Sequence, residues 1–209
     1  MPIKAKGLLV VVTGPSAVGK GTICRALLQE APDVRFSVSC TTRAARPGEV
    51  HGVEYFFHTR EEFQTKVDRG ELLEWAEVYG NYYGTPRHYV EEVTDAGQDI
   101  ILDIDMVGAR AVRERYPGAV SVFVIPPSME TLRARIIGRG TESEEAVQRR
   151  LQEAPKWIEE GLGYDYVIVN DDLPSAVRQL RSILEAEKSR MIRRGSMLIR
   201  RLLEKGELD

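Results

Sequence analysis

The chain has 209 residues, 43% of them apolar and 29% charged, which is the composition of an ordinary globular protein and not of a disordered one. Domains commonly span about 100–200 residues, so this length favours one domain with substantial insertions over a repeat array. The 29 basic and 32 acidic residues give a net charge of −3, which supplies no global field for binding a nucleic-acid backbone or an anionic membrane. Any anion site must therefore be local.

Cysteine content and apolar runs indicate where the protein works. Cys24 and Cys40 are too few for the disulfide framework of a small secreted domain. The apolar run at residues 7–13 is too short for a signal peptide, and nowhere do 18 apolar residues follow one another. We therefore expect a cytoplasmic protein with neither a membrane nor a nucleic-acid partner.

The first predicted elements are a strand, a glycine-rich turn and a helix. Residues 8–12 form a continuous apolar run of the kind found in parallel strands buried on both faces. Residues 20–30 place their apolar side chains on one helical face, and Pro32 follows. Three further runs of the same buried kind, at 100–104, 120–125 and 166–169, alternate with helical stretches. This alternation predicts an α/β fold with a parallel sheet wrapped by helices.

Two segments interrupt the alternation and predict the domain organisation. Residues 38–90 contain short polar and aromatic segments with turn signals, typical of a small α+β insertion. Residues 138–155 begin with the hinge candidate Gly138-Arg139-Gly140 and a capping box from Thr141 to Glu144, which favours a helical lid. The core would then comprise residues 1–37, 91–137 and 156–209. Its last helices contain a basic stretch, 188–201, that we expect to pack on the core or on another subunit.

Residues 14–20 match the phosphate-binding pattern G-x-x-x-x-G-K directly between the first strand and the first helix. Glycines let backbone N–H groups turn towards a phosphate, the helix N-terminus adds partial positive charge, and Lys20 can reach the β and γ phosphates. The predicted nucleotide-binding residues of this loop are Gly14, Pro15, Ser16, Ala17, Val18, Gly19, Lys20, Gly21 and Thr22.

One position departs from the usual form of this loop. Gly21 follows Lys20 where serine or threonine normally ligates Mg²⁺, and the hydroxyl is displaced to Thr22. One helical residue is a rotation of about 100°, so Thr22 points elsewhere. No direct metal ligand is therefore assigned, and Asp103 or Thr22 would act through water. Asp103 and Asp105 both follow a buried strand, at the sheet edge where α/β folds bind ligands.

The phosphate loop and residues 36–56, Phe-Ser-Val-Ser-Cys-Thr-Thr-Arg-Ala-Ala-Arg-Pro-Gly-Glu-Val-His-Gly-Val-Glu-Tyr-Phe, closely resemble the guanylate kinase family. Further motifs resemble the family in order and spacing, and the resemblance extends from Leu8 to about Glu187. They are Leu73-Glu74-Trp75-Ala76, Gly80-Asn81-Tyr82-Tyr83-Gly84-Thr85, Leu102-Asp103-Ile104-Asp105, Pro126-Pro127-Ser128, Gly138-Arg139-Gly140-Thr141 and Ile168-Val169-Asn170-Asp171-Asp172.

The resemblance implies a P-loop core, a GMP-binding insertion and a mobile lid. It implies transfer of the γ-phosphoryl group of ATP to GMP or dGMP, with Mg²⁺, for purine nucleotide synthesis and GMP recycling. The residues it implies for the GMP phosphate are Ser39, Arg43, Arg46, Tyr55 and Tyr83. Glu74, Thr85 and Asp105 would recognise guanine, and Asn170 would lie near adenine. Catalysis would involve Lys20, Arg43, Asp103, Arg139 and Arg150.

The chemistry of the residues points to the same reaction and leaves two alternatives. Joining two polyanions requires several fixed guanidinium and phenolic groups, and Arg43, Arg46, Tyr55 and Tyr83 all lie in the insertion. One alternative keeps the fold but takes AMP, dTMP or a ribose bisphosphate as acceptor. The other is an inactive module that binds partner proteins in the GMP cleft. The sequence leaves open whether the chain is a monomer or a homo-oligomer.

Overall fold

The computed structural model describes residues 6–138 and 144–206. Strands in chain order are β1 Leu9–Thr13, β2 Val34–Phe36, β3 Cys40–Thr41, β4 Phe56–Phe57, β5 Leu72–Val78, β6 Asn81–Pro86, β7 Asp99–Asp103, β8 Val120–Ile125 and β9 Tyr166–Val169. The α-helices are α1 Lys20–Glu30, α2 Arg60–Asp68, α3 Arg87–Asp95, α4 Met106–Arg115, α5 Met129–Gly138, α6 Glu144–Glu160, α7 Leu173–Lys188 and α8 Ser196–Lys205. A 3-10 turn, Gly161–Gly163, precedes β9, and a π-helical turn, Met191–Gly195, precedes α8.

The larger sheet is parallel, has the strand order β2-β7-β1-β8-β9, and confirms the predicted α/β fold. Strand β1 lies at its centre, between β7 and β8. Val12 is in register with Asp103 of β7 and with Val122 of β8. The loop after β1 and the acidic residues after β7 therefore meet at the carboxyl edge of the sheet, where α/β proteins bind ligands.

Alternate residues of β1 contribute to hydrophobic clusters on opposite faces of this sheet. Val10 and Val12 pack with residues of α1, α5 and α7, whereas Val11 packs with residues of α3, α4 and β7. All three valines are fully buried. The continuous apolar run in the sequence is explained by this two-sided burial.

The prediction that all of these strands are buried on both faces is wrong for β9. β9 pairs only with β8 and lies at the edge of the sheet. Ile168 is fully buried, but Val167 is 59% exposed and Val169 is 42% exposed. An edge strand loses cover on one side, and four apolar residues in a row do not reveal this from sequence.

Residues 40–86 form a second, four-stranded sheet with the order β4-β3-β6-β5. A turn at Tyr79 and Gly80 joins the antiparallel strands β5 and β6. A register shift lies between Leu72 and Glu74, so that Glu74 is opposite Thr85. Bulges often redirect a side chain near a functional site, and this one determines where Glu74 lies.

The lid segment is only partly described. Helix α6 begins at Glu144 and continues to Glu160 with Pro155 inside it, beyond the predicted boundary at 155. The predicted hinge at Arg139 and Gly140, and most of the predicted capping box, lie outside the described residues. The division into core, insertion and lid stays a prediction.

Among the described residues, no helix combines the length and the apolar character needed to cross a bilayer.

Candidate active site

The phosphate loop has the backbone conformation that its sequence predicts. Gly14 and Gly19 have φ values of 144° and 95°, and Ala17 has a φ of 66°. Such values are rare for residues with a side chain, so the two glycines suit the turn and Ala17 is held there by its surroundings. The Lys20 ammonium donates to the carbonyl oxygens of Gly14 at 2.8 Å and Pro15 at 3.3 Å. These contacts place a positive charge over the loop, at the N-terminus of α1.

Asn170 and Arg135 support the loop from the neighbouring strand end and helix. The Asn170 side-chain amide donates to the Val18 carbonyl oxygen at 2.7 Å. Arg135, which the sequence did not single out, donates to the Asn170 carbonyl oxygen at 2.9 Å and approaches that of Val18. Asn170 is only 7% exposed, so its observed role is to hold the loop. Its contact with adenine stays a prediction.

Asp103 lies beside the start of α1, as the sheet register requires. A Cβ atom added to Gly21 would be 3.1 Å from Asp103 Oδ2. The glycine thus leaves room for this carboxylate, whereas the side chain of Thr22 is exposed on the helix surface.

Arg43 is fixed by Glu49, a residue that the sequence analysis missed. Arg43 Nη2 donates to both Glu49 carboxylate oxygens at 2.9 Å, and the Arg46 backbone N–H donates to the same carboxylate at 2.8 Å. Burial opposes ionisation of Glu49, but the hydrogen bonds from Arg43 and Arg46 outweigh it and lower its pKa. The spacing R-x-x-R-x-x-E was visible in the sequence, and only the fold shows that the loop closes on itself.

The two predicted tyrosines lie together beside Arg43. The rings of Tyr55 and Tyr83 meet edge to face with centroids 6.0 Å apart, and the Arg43 guanidinium is 5.3 Å from the centre of the Tyr55 ring. Burial and the nearby Asp103 carboxylate raise the pKa of Tyr55 to about 12. Tyr55 is therefore a neutral hydrogen-bond donor at physiological pH, suited to a phosphate oxygen.

A cleft of about 300 Å³ connects the insertion with α6. It is lined by Arg43, Arg46, Val78, Tyr79, Asn81, Tyr83, Arg149 and Arg150. Four guanidinium groups therefore face one space, and Arg149 is a member that the sequence analysis missed. Such a concentration of fixed cations is suited to phosphate groups.

Arg150 links the lid helix to both other parts of the site. Its guanidinium contacts the Ser16 hydroxyl of the phosphate loop and lies 4.9 Å from the centre of the Tyr79 ring. The Tyr79 hydroxyl in turn donates to Glu153 of α6 at 2.9 Å. Arg150 thus lies at the phosphate loop, and its role in catalysis stays a prediction. Arg139, its predicted companion, lies outside the described residues.

Glu74 and Thr85 form a buried polar pair. They are 3% and 0% exposed, and the Thr85 hydroxyl donates to Glu74 Oε1 at 2.6 Å. Burial raises the pKa of Glu74 to about 7; the Thr85 hydrogen bond opposes this rise and the Asp105 charge adds to it. A carboxylate held at such cost needs a partner with hydrogen-bond donors.

Asp105 and Ser39 complete the predicted set. Asp105 caps α4, because its Oδ1 accepts hydrogen bonds from the backbone N–H groups of Val107 at 2.7 Å and Gly108 at 3.1 Å. This cap fixes the Asp105 carboxylate close to Glu74. Ser39 is 8% exposed and lies immediately before β3, where its carbonyl oxygen accepts from Phe56 at 2.9 Å.

The phosphate loop on a parallel sheet, together with the arginine-lined cleft, defines the class of P-loop proteins that handle nucleotides. A family model described as guanylate kinase matches residues 6–187. The chain belongs to the guanylate kinase family.

Individual relatives agree over the whole length. A guanylate kinase of Symbiobacterium thermophilum is 74% identical over 208 residues, covering 100% of this chain and 99% of the relative. One from Desulfitobacterium hafniense is 55% identical over 188 residues, covering 90% of this chain and 94% of the relative. The crystal structure of guanylate kinase from Anaplasma phagocytophilum superposes with a TM-score of 0.81 at 37% identity, covering 100% of both chains.

Proposed function

We propose that this protein transfers the γ-phosphoryl group of ATP to GMP, giving ADP and GDP. The observation that supports it most is the buried Glu74–Thr85 pair beside an arginine-lined cleft, in a chain of this family. The reaction would supply GDP for purine nucleotide synthesis and return GMP to the pool, in the cytoplasm. Its partners would be the two nucleotides, with no nucleic acid or membrane.

The acceptor phosphate binds among the groups of the insertion. Arg43 and Arg46 neutralise its charge, and Tyr55 and Tyr83 donate neutral hydrogen bonds. Because Glu49 already fixes Arg43 through two oxygens, the guanidinium loses little further freedom when it binds phosphate. Ser39 would add a hydroxyl from the end of the sheet.

Transfer needs no nucleophilic side chain, because an oxygen of the acceptor phosphate attacks the γ phosphorus directly. Lys20 lies on the phosphate loop, and Arg150 reaches the same loop from the lid helix. Both cations can stabilise the charge on the transferring group, with Arg139 as the third. Catalysis is then chiefly positioning and electrostatic stabilisation in a site from which α6 excludes water.

The residues present fit Mg²⁺ held mainly by phosphate. No cluster of three or more candidate metal ligands exists in residues 6–138 and 144–206. Mg²⁺ commonly uses one or two carboxylates with substrate phosphates and waters, and Asp103 beside Gly21 can provide the carboxylate through water. The bound ion would neutralise charge on the β and γ phosphates. Asp103 and the phosphate loop would hold it there.

Guanine is favoured over adenine by the charge of Glu74. Guanine presents a ring N–H and an amino group on one edge, and a carboxylate can accept from both. Adenine presents an unprotonated ring nitrogen there, which would leave a buried charge unpaired. The Thr85 hydroxyl and Asp105 complete the base site. None of the assigned residues is needed for the ribose 2′-hydroxyl, so the proposal includes dGMP.

The two alternatives are less well supported. An acceptor such as AMP, dTMP or a ribose bisphosphate gives Glu74 no pair of donors. A partner-binding module would need neither Lys20 and Asp103 at the phosphate loop nor Arg43 and Arg46 in the cleft.

A coupled assay of ADP formation tests the proposal. The acceptors are GMP, dGMP, AMP, dTMP and a ribose bisphosphate, each with ATP and Mg²⁺. We expect turnover with GMP and dGMP and at most trace rates with the other three. Faster turnover with any other acceptor would replace the proposed substrate, and no turnover at all would favour the binding module.

A further inference from the structure

Gly108, in the first turn of α4, is a glycine that local conformation does not explain. Glycine inside a helix is less favourable than alanine, because it loses more conformational freedom on folding. Its φ is not among the positive values that favour glycine. The reason for a glycine here must lie in what surrounds it.

The missing side chain of Gly108 leaves space for Glu74. A Cβ atom built on Gly108 would lie 2.4 Å from Glu74 Oε2, 3.0 Å from its Cδ and 3.5 Å from its Oε1. These three are the nearest atoms that it would meet. Even a methyl group would therefore require the Glu74 carboxylate to move, while the backbone of α4 could stay in place.

The Glu74 carboxylate has little freedom to move, because a displacement would break the hydrogen bond that it accepts from Thr85. It is buried, and the 2.6 Å hydrogen bond from Thr85 holds Oε1. Gly108 also donates its backbone N–H to Asp105 Oδ1 at 3.1 Å. Gly108 thus adjoins both acidic side chains that we assign to guanine recognition. It donates a backbone hydrogen bond to Asp105, and its lack of a Cβ atom leaves space for Glu74.

We propose that Gly108 is a positioning residue for guanine recognition, which acts by leaving the space in which the Glu74 carboxylate is held. This inference rests on the proposed function, because it takes Glu74 as the guanine acceptor. Gly108 touches no reacting atom. Its substitution should therefore weaken GMP binding and base discrimination while leaving ATP binding and phosphoryl transfer largely intact.

Steady-state kinetics of Gly108→Ala provide the first test. We expect KM for GMP to rise about tenfold, the equivalent of losing roughly one charge-assisted hydrogen bond. The turnover number at saturating GMP and KM for ATP should stay within about twofold of wild type. Gly118→Ala is the matched control, because a Cβ there meets nothing within 4 Å and no positive φ is involved. It should leave all three constants unchanged.

A double-mutant cycle with Glu74→Ala tests whether Gly108 acts through Glu74. Once the carboxylate is removed, Gly108→Ala should cause no further loss of GMP affinity. If Gly108→Ala is too unstable for kinetics, thermal unfolding of wild type, the two single variants and the double variant provides the same comparison. The substitution should lower Tm with Glu74 present and leave it unchanged or higher with Glu74→Ala.

The possible failures are distinguishable. If wild type turns over GMP and Gly108→Ala leaves its KM and the GMP-to-AMP preference unchanged, the inference is wrong and the proposed function stands. Equal losses with and without Glu74 would also overturn it, because Gly108 would then act by another route. If wild type does not phosphorylate GMP, the proposed function fails and the inference fails with it.

Discussion

At the scale of single residues, the unfavourable burial of the Glu74 carboxylate is best explained by guanine recognition. A carboxylate that is 3% exposed and accepts hydrogen bonds from the hydroxyl and the backbone N–H of Thr85 keeps only part of the hydrogen bonding that water would give it. Two donors from guanine would supply the remainder at the moment of binding. The unfavourable burial of Glu74 therefore favours a ligand that presents two hydrogen-bond donors to this carboxylate, as the ring N–H and amino group of guanine do.

The raised pKa of Glu74 predicts a pH dependence of GMP binding. Burial raises this pKa to about 7, so the carboxyl is increasingly protonated below that pH, and the protonated form cannot accept two hydrogen bonds. Binding must then release a proton, and affinity falls as pH falls. The Kd for GMP should be about tenfold higher at pH 6 than at pH 8, since one unit below a pKa leaves about a tenth of the group ionised.

Glu74→Gln is the control for that measurement, made by isothermal titration. The phosphate of GMP also titrates near this range, and its contribution is the same in both proteins. The variant should bind more weakly at pH 8 and show a smaller pH dependence. Identical profiles for the two proteins would mean that Glu74 does not change protonation on binding.

Lys20 gives a second prediction at this scale. Lys20→Met should fold normally and lose several orders of magnitude in turnover number, because the transferring phosphoryl group loses its nearest cation. Rapid-quench or coupled kinetics measure the loss, and circular dichroism checks the fold. Near-normal turnover would remove Lys20 from catalysis.

At the scale of elements, α6 connects the three parts of the site. Arg150 contacts Ser16 of the phosphate loop, and Glu153 accepts from Tyr79 at the tip of the insertion. A helix that contacts both places could respond to either nucleotide, because the proposed function places ATP at the loop and GMP at the insertion. This is the geometry expected of a lid.

Hydrogen exchange should detect that response. Amides of α6, Glu144–Glu160, should exchange more slowly when GMP and a non-hydrolysable ATP analogue are both bound than with either alone. The buried strand β8 provides an internal reference that should not change. Equal exchange of α6 without nucleotide, with GMP alone, with the ATP analogue alone and with both would contradict closure.

The sequence predicts some elements of this fold and not others for physical reasons. β1, β7 and β8 are buried on both faces and show it as mainly apolar runs. β3 and β4 have two residues each, too few for any periodicity. The edge position of β9 depends on which strand is its neighbour, which no local pattern records.

The residues of the candidate site also fall into those that the sequence predicts and those that only the fold brings together. The phosphate loop is contiguous and is predicted by its spacing alone. Glu49 and Arg149 complete the charged cleft only after chain segments approach each other. Gly108 and Glu74 are 34 positions apart in the chain and lie on different elements, so the fit between them could not be inferred without the structure.

At the scale of the whole molecule, a buried ionic cluster attaches the C-terminal region to the sheet. Glu187 at the end of α7 is 2% exposed and accepts from the Tyr166 hydroxyl at 2.6 Å and from Arg193 at 2.9 Å. Burial opposes its ionisation, but the tyrosine and the two arginines, Arg190 and Arg193, outweigh it and lower its pKa. Next to it, Lys188 pairs with buried Asp99 at 2.7 Å.

Removing the charge of Glu187 should therefore affect stability and not activity. Glu187→Gln should lower the free energy of unfolding by about 1–3 kcal/mol, because buried donors lose a charged acceptor, while KM for both nucleotides stays unchanged. Urea denaturation measures it. Glu185→Gln is the control, since Glu185 is largely exposed and pairs with Arg181, and it should cost under about 0.5 kcal/mol. Equal urea midpoints for the two variants would show that the cluster contributes no stability.

The most direct test of the account is the ratio of kcat/KM for GMP to that for AMP, measured in wild type, Glu74→Gln and Thr85→Ala. We expect a large ratio in wild type and a strong fall in Glu74→Gln, because an amide can donate to adenine as well as accept from guanine. Thr85→Ala should reduce it less, since a neutral hydrogen bond contributes about 0.5–1.5 kcal/mol. An unchanged ratio in Glu74→Gln would mean that guanine is recognised elsewhere.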